Sequence, residues 1–159
     1  MKSDSPTLKI EDQLCFALYA ATLSMSKAYK PYLEAVGLTY PQYLVMLVLW
    51  ENEHQSVSEI GEQLFLDSGT LTPLLKRLEA SAYVKRTRDA TDERRVIVSL
   101  TAKGKALKKK ILPLPSKMLK ATQCSMGDAK QLVKVLGDLR VNLLDSLDQQ
   151  DTKTHSRKP

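Results

Sequence analysis

The order of elements between residues 56 and 100 constrains this chain more than any other feature. Ser56-Val57-Ser58-Glu59 is a capping-box pattern that opens a short helix through Leu64. Asp67-Ser68-Gly69-Thr70 then offers fresh caps ahead of a second apolar-periodic stretch, 71–82, and Pro73 places the start of that helix at 68–70, because a proline beyond the first turn costs a helix bond. At Tyr83 the texture changes. Residues 83–87 and 95–100 alternate or run β-branched, and Arg88-Asp89-Ala90-Thr91-Asp92-Glu93-Arg94 between them is polar and turn-prone, which predicts a hairpin with a charged tip. Two short helices followed directly by a hairpin make a winged helix-turn-helix, whose second short helix can enter a major groove while the wing reaches the backbone or minor groove.

The flanking segments read as helices. Leu14, Leu18, Met25, Tyr29, Leu33 and Val36 recur at helical spacing, predicting one long helix over 8–36 that stops at Gly37. Thr39-Tyr40-Pro41-Gln42 is a second capping box, and the apolar run 43–50 behind it reads as a buried helix. Thr101 caps a Lys-rich helix over 103–112, interrupted by Pro113 and Pro115. A last helix near 128–147 aligns Leu132, Leu136, Leu139, Leu143 and Leu147 on one face. The predicted class is mainly α, with a two-stranded wing in one domain over 1–150, the winged helix-turn-helix over 39–100, and a flexible tail over 151–159.

Several function classes drop out. The first six residues lack the apolar stretch of a secretory signal and the run 44–50 is far short of a membrane span, so a cytoplasmic protein with no membrane partner is expected. Two cysteines and two histidines cannot furnish a disulfide scaffold or a Cys/His zinc site, and no phosphate loop or hydrolase motif occurs. No metal, cofactor or enzyme activity is expected.

With 24 Lys plus Arg against 18 Asp plus Glu, the chain carries +6, and its cations cluster where the fold would meet DNA. The second short helix presents Ser68, Thr70, Thr72, Lys76 and Arg77, while Leu71, Leu74, Leu75 and Leu78 can face the core. The wing adds Arg86, Arg88, Arg94 and Arg95, and arginine suits a narrow, electronegative minor groove. Either patch alone also reads as solvated surface; basic helix, basic wing and basic net charge together point to double-stranded DNA. Lys103, Lys105, Lys108, Lys109 and Lys110 read as a solvated face able to add nonspecific affinity.

The string from Leu66-Asp67-Ser68-Gly69-Thr70-Leu71-Thr72-Pro73 to Leu78-Glu79, the wing residues Asp92-Glu93-Arg94-Arg95, and Leu100-Thr101-Ala102-Lys103-Gly104 resemble the MarR family of bacterial transcription regulators. Leu14-Cys15-Phe16-Ala17-Leu18-Tyr19, followed by Tyr29 and Tyr40, resembles its OhrR group of organic hydroperoxide sensors. The resemblance spans roughly residues 8–147, nearly the whole chain. It implies a homodimer paired through helices within 8–36 and 102–148, bound to a pseudo-palindromic operator. It further implies a repressor whose reactive cysteine, at the position of Cys15, is oxidised by organic hydroperoxides, releasing the DNA. Tyrosines matching Tyr29 and Tyr40 of the partner would hydrogen-bond that sulfur, with Tyr19 a possible third. A second cysteine at the place of Cys124 resembles a two-cysteine subclass, in which it resolves the sulfenic acid as an intersubunit disulfide.

Spacing alone tests part of this. Tyr19 lies one turn after Cys15 on the same face, and Tyr29, 14 positions on, returns within about 40° of it. At about 1.5 Å of rise per residue, Cys15 and Tyr29 are about 21 Å apart on one helix, beyond any hydrogen bond. Only another chain could join them, and two antiparallel first helices would do so twice. On its residues alone Cys15 reads first as a small buried hydrophobe, which free cysteines usually are, and Cys124 can also be read as an inert thiol. Three competing functions stand beside the sensor: a regulator of the same fold released by a phenolic ligand with passive cysteines, a cysteine peroxidase, and a nonspecific architectural DNA protein.

Overall fold

Most helices of this chain begin where a side chain accepts one of the first free amides, although the first long helix has no such cap. The computed structural model describes residues 8–155, with side chains to Gln149. A 3-10 turn, Ile10–Asp12, opens it, and α1 follows at Leu14–Glu34. The single helix expected over 8–36 is therefore broken. Asp12 and Gln13 donate back three residues, to Lys9 and Ile10, and Gln13 is extended (φ −89°, ψ 118°), so the α ladder starts afresh behind it. The stop at Gly37 is as expected: its φ is +71°, and Leu38 N–H closes onto the Leu33 carbonyl at 3.0 Å.

Both faces of α2 (Tyr40–Glu51) are buried, which is why its sequence shows an apolar run and no stripe. Thr39 and Gln42 form the capping box the sequence predicts. A two-residue strand, β1 (Gln55–Ser56), leads into α3 (Val57–Leu64), and Ser56 and Glu59 cap each other at 3.2 and 2.7 Å. Ser56 is buried, so Ser56→Ala leaves Glu59 N–H without its acceptor; the expected loss is about 1 kcal/mol of unfolding free energy, read as a lower urea midpoint at unchanged slope. An unmoved midpoint would show the box to be redundant.

The turn into α4 (Ser68–Ala80) runs through Phe65 in the left-handed region (φ 56°). Gly61 permits it: a Cβ there would sit 2.7 Å from the Leu66 carbonyl oxygen. Asp67 caps α4 through Thr70 N–H at 2.8 Å, and Pro73 is its sixth residue. Leu71, Leu75 and Leu78 are at most 1% exposed and pack in the core that α2, α3 and the sheet share; Leu74 is half-buried.

The hairpin comprises β2 (Val84–Arg88) and β3 (Val96–Leu100), each shifted one residue from expectation at its start. The sheet has three strands, not two: the order is β1-β3-β2, antiparallel throughout, with Gln55 opposite Val98 and Val84 opposite Leu100. Helix α5 (Ala102–Ile111), capped by Thr101, crosses behind it. Its Gly104 is the close approach that joins three elements. Trp50 Nε1–H donates to its carbonyl at 2.9 Å, and any side chain there would run into the Tyr83 carbonyl. Tyr83 itself reaches back, its hydroxyl donating to the Val36 carbonyl at 2.6 Å.

The chain divides into two units, Met1–Leu114 and Pro115–Pro159. In the second lie the rest of α6 (Leu114–Thr122), a helix that the prolines flanking Leu114 mask in the sequence although Pro115 falls in its first turn, where no amide is needed, and α7 (Met126–His155). Ser125 and Asp128 form the capping box of α7, which starts it two residues before the expected 128. No break marks residue 151: α7 continues to His155, since no glycine or proline follows Gly137 until Pro159, and residues 156–159 of the expected tail lie outside the described residues. The face bearing Leu132, Leu136, Leu143 and Leu147 is exposed, as are Leu14, Phe16, Leu23 and Met25 on α1. Among the described residues, no helix is long and apolar enough to cross a membrane.

Candidate nucleic-acid interface and redox centre

The three buried leucines of α4 turn its opposite face outward, and that face carries the residues expected to read DNA. Ser68, Thr70, Lys76 and Arg77 are exposed and Thr72 is half-buried. Thr70 is partly committed: its amide and hydroxyl both donate to Asp67, at 2.8 and 3.0 Å, and these bonds hold the Asp67 carboxyl below its ordinary range. Lys76 and Arg77 meet no carboxylate among the described residues.

The four wing arginines separate by what they touch. Arg88 pairs with no acid among the described residues. Arg94 leans on Asp92 at 3.2 Å yet keeps a side chain 91% exposed, at the tip of the loop. Arg95 lies between Glu59 at 3.6 Å and Asp89 at 3.9 Å, tying the wing to α3. Arg86 is turned away from the tip onto Glu79 of α4, with Nη2 at 2.6 Å. The loop itself is built by Asp89, which accepts from the amide and hydroxyl of Thr91 at 2.8 and 2.7 Å, and by Arg95 N–H on the Asp92 carbonyl at 2.9 Å. Of the Lys-rich helix, Lys103 sits over the Tyr83 ring, Lys105 pairs with Glu53 and Lys108 donates to the Trp50 carbonyl, so these lysines brace the fold. Lys109 and Lys110 are exposed.

The expected redox residues divide in two. Because α1 begins at Leu14, Cys15 is its second residue and is exposed, inside the turn where unpaired amides favour negative charge. Tyr19 follows it on the same face, also exposed. Fourteen residues along, Tyr29 packs against Tyr40 with ring centroids 4.9 Å apart, and against Tyr43 at 5.7 Å. Burial, then Tyr43 and Tyr40 nearby, pushes the Tyr29 phenol up to about 12, and burial raises Tyr40 as well; both stay protonated and can only donate to an anion at neutral pH. Tyr43 was missed by sequence reasoning, since within an apolar run it reads as packing. A cleft of about 310 Å³ opens beside the trio, lined by Leu33, Leu38, Tyr40, Lys27 and Lys30. Cys124 lies in the second unit, half-buried between α6 and α7, its Sγ 3.6 Å from the Thr122 carbonyl; both cysteines are free.

Comparison with known proteins gives this arrangement its relatives. A family model described as transcriptional regulator SarA/Rot matches residues 27–111. The organic hydroperoxide resistance transcriptional regulator of Bacillus subtilis is 46% identical over 151 residues, covering 95% of this chain and 100% of that protein. AbfR of Staphylococcus epidermidis, solved reduced and bound to DNA, is 36% identical with a TM-score of 0.76 over 85% of this chain and 94% of that one. Its disulfide-formed state is similar at a TM-score of 0.61, with 35% identity over 87% and 92% of the two chains. An outward cationic helix, a charged wing and relatives of this similarity over nearly the full length leave one assignment: the chain belongs to the MarR family of winged helix-turn-helix transcription regulators, in the group of the organic hydroperoxide resistance regulators.

Proposed function

We propose that this regulator is a redox-responsive repressor that works as a homodimer. Two copies pair through the exposed apolar faces of α1 and α7, which a soluble protein does not leave to water. Each α4 and wing then meets one half of a pseudo-palindromic operator. The observation that carries the reading is the pair Tyr29 and Tyr40. Two protonated phenols stand together on one protomer, about 21 Å along α1 from an exposed Cys15, a separation that an antiparallel partner helix removes.

In that setting the phenols donate hydrogen bonds to the Cys15 sulfur across the dimer and stabilise the thiolate. The thiolate attacks the outer oxygen of an organic hydroperoxide; the O–O bond breaks, the sulfur is oxidised to sulfenic acid, and the alkoxide leaves as an alcohol after taking a proton. The thiol of Cys124 from the other subunit displaces the sulfenic hydroxyl as water, forming a disulfide. The covalent tie and the loss of the phenol bonds move the two reading heads out of the one-turn spacing that both grooves require. Support comes from AbfR, a relative solved both reduced on DNA and in a disulfide-formed state.

The test is a mobility shift on the DNA upstream of the chain's own gene, with reduced protein, then cumene hydroperoxide, then dithiothreitol, beside non-reducing electrophoresis. Release on oxidation, with a cross-linked dimer band and both reversed by reductant, is the expected result. Binding that ignores peroxide would sink the sensor. The cleft beside Tyr40 favours a second reading: its apolar lining, phenol and two lysines suit a small phenolic acid, and release by such a ligand would be indifferent to dithiothreitol.

A further inference from the structure

With the order β1-β3-β2, strand β2 is an edge, so no further strand of the sheet holds its outward side. At the middle of that edge Arg86 N–H donates to Glu79 Oε1 at 3.0 Å, while Arg86 Nε and Nη2 donate to Glu79 Oε2 at 2.9 and 2.6 Å. One carboxylate on the last turn of α4 thus holds both the main chain and the side chain of the wing's central residue. An exposed ion pair has little consequence. Here, however, the side chains are only 25% and 36% exposed, and a backbone bond adds direction to the charge. The three donors hold the Glu79 carboxyl below its ordinary range, so it is charged at neutral pH.

We propose that Glu79 is a positioning residue for DNA reading: it sets the wing against α4, and Arg86 serves as its brace and not as a phosphate contact. Two points on DNA must be met together, one by the outward face of α4 and one by Arg94 at the wing tip. The separation between them is set where β2 is fastened to α4. Among the described residues Arg86 meets no other acid, and nearer the tip Arg94 keeps a side chain 91% exposed for the duplex. This inference rests on the winged helix reading DNA and is independent of the redox switch.

Operator affinity of the reduced, full-length chain, measured by fluorescence anisotropy over a range of salt, tests it. Glu79→Gln should weaken binding about three- to tenfold, although removing a negative charge from a face that meets a polyanion would by charge alone strengthen it. Arg86→Lys keeps the positive charge but cannot span both contacts, so it should be as weak as Glu79→Gln, with the salt dependence of wild type. The double variant Glu79→Gln/Arg86→Lys should be no weaker than either single one, as for two halves of one contact. Binding by Glu79→Gln as tight as wild type, or Arg86→Lys indistinguishable from wild type, overturns the proposal and makes Arg86 a plain phosphate contact. Thermal melts of each variant confirm the fold, and failure of the wild-type chain to bind its operator would sink the DNA reading itself.

Discussion

A Cys15→Ser protein keeps its operator at peroxide concentrations that release the unmodified chain. Serine is close to cysteine in size, and position 15 is exposed at the start of α1, so operator affinity of the variant stays within about threefold of wild type. A hydroxyl gives no anion at neutral pH and no sulfenic acid, so the dose of cumene hydroperoxide needed for half-release rises at least about a hundredfold. A fully responsive Cys15→Ser would end the proposal. The companion variant Cys124→Ser separates sensing from protection. It still loses DNA on oxidation, but without a resolving thiol Cys15 advances to the sulfinic acid, which mass spectrometry after a peroxide pulse detects and dithiothreitol does not reverse.

The other large effect falls on the cations that the described residues tie down least. Arg77→Ala and Arg94→Ala should each weaken operator binding by about 1–3 kcal/mol, roughly fivefold to 150-fold, because among the described residues neither side chain is held by more than the single Asp92 contact of Arg94. Arg95→Ala should cost less, since Glu59 and Asp89 already share its charge. Titrations between about 50 and 200 mM salt distinguish the kinds of contact: a lost phosphate lowers the slope by about one, and a lost base contact leaves it unchanged. An Arg77→Ala protein that bound like wild type would remove Arg77 from the interface.

What the sequence made legible was local. Ser56 with Glu59, Asp67 with Thr70, and Thr101 are caps whose partner lies three residues away, so their spelling suffices, and the positions of α3, α4 and α5 follow from them. The hairpin was readable because β-branched residues flank a polar turn. Strand β1 was not: two residues cannot show an alternation, and Gln55 is a strand residue only because Val98 lies opposite. The start of α1 was hidden because the three residues of the 3-10 turn are too few for a period of 3.0 to be told from one of 3.6. The site divides in the same way. The 14-residue spacing of Cys15 and Tyr29 is legible as a distance along one helix, whereas the packing of Tyr29 on Tyr40 and Tyr43 depends on how α1 folds back on α2. The bond from Glu79 to Arg86 crosses the bend between α4 and β2, and nothing in the run between them marks the two as partners.

Asp67 closes the leading end of α4 with a carboxylate, and Asp89, Asp92 and Glu59 sit among the arginines of the wing. A reading head seeded with acids discriminates by penalty as well as by attraction: a duplex offered in the wrong register brings phosphates against those carboxylates. By charge alone, such a surface should hold a misplaced duplex less tightly than the same surface stripped of its carboxylates.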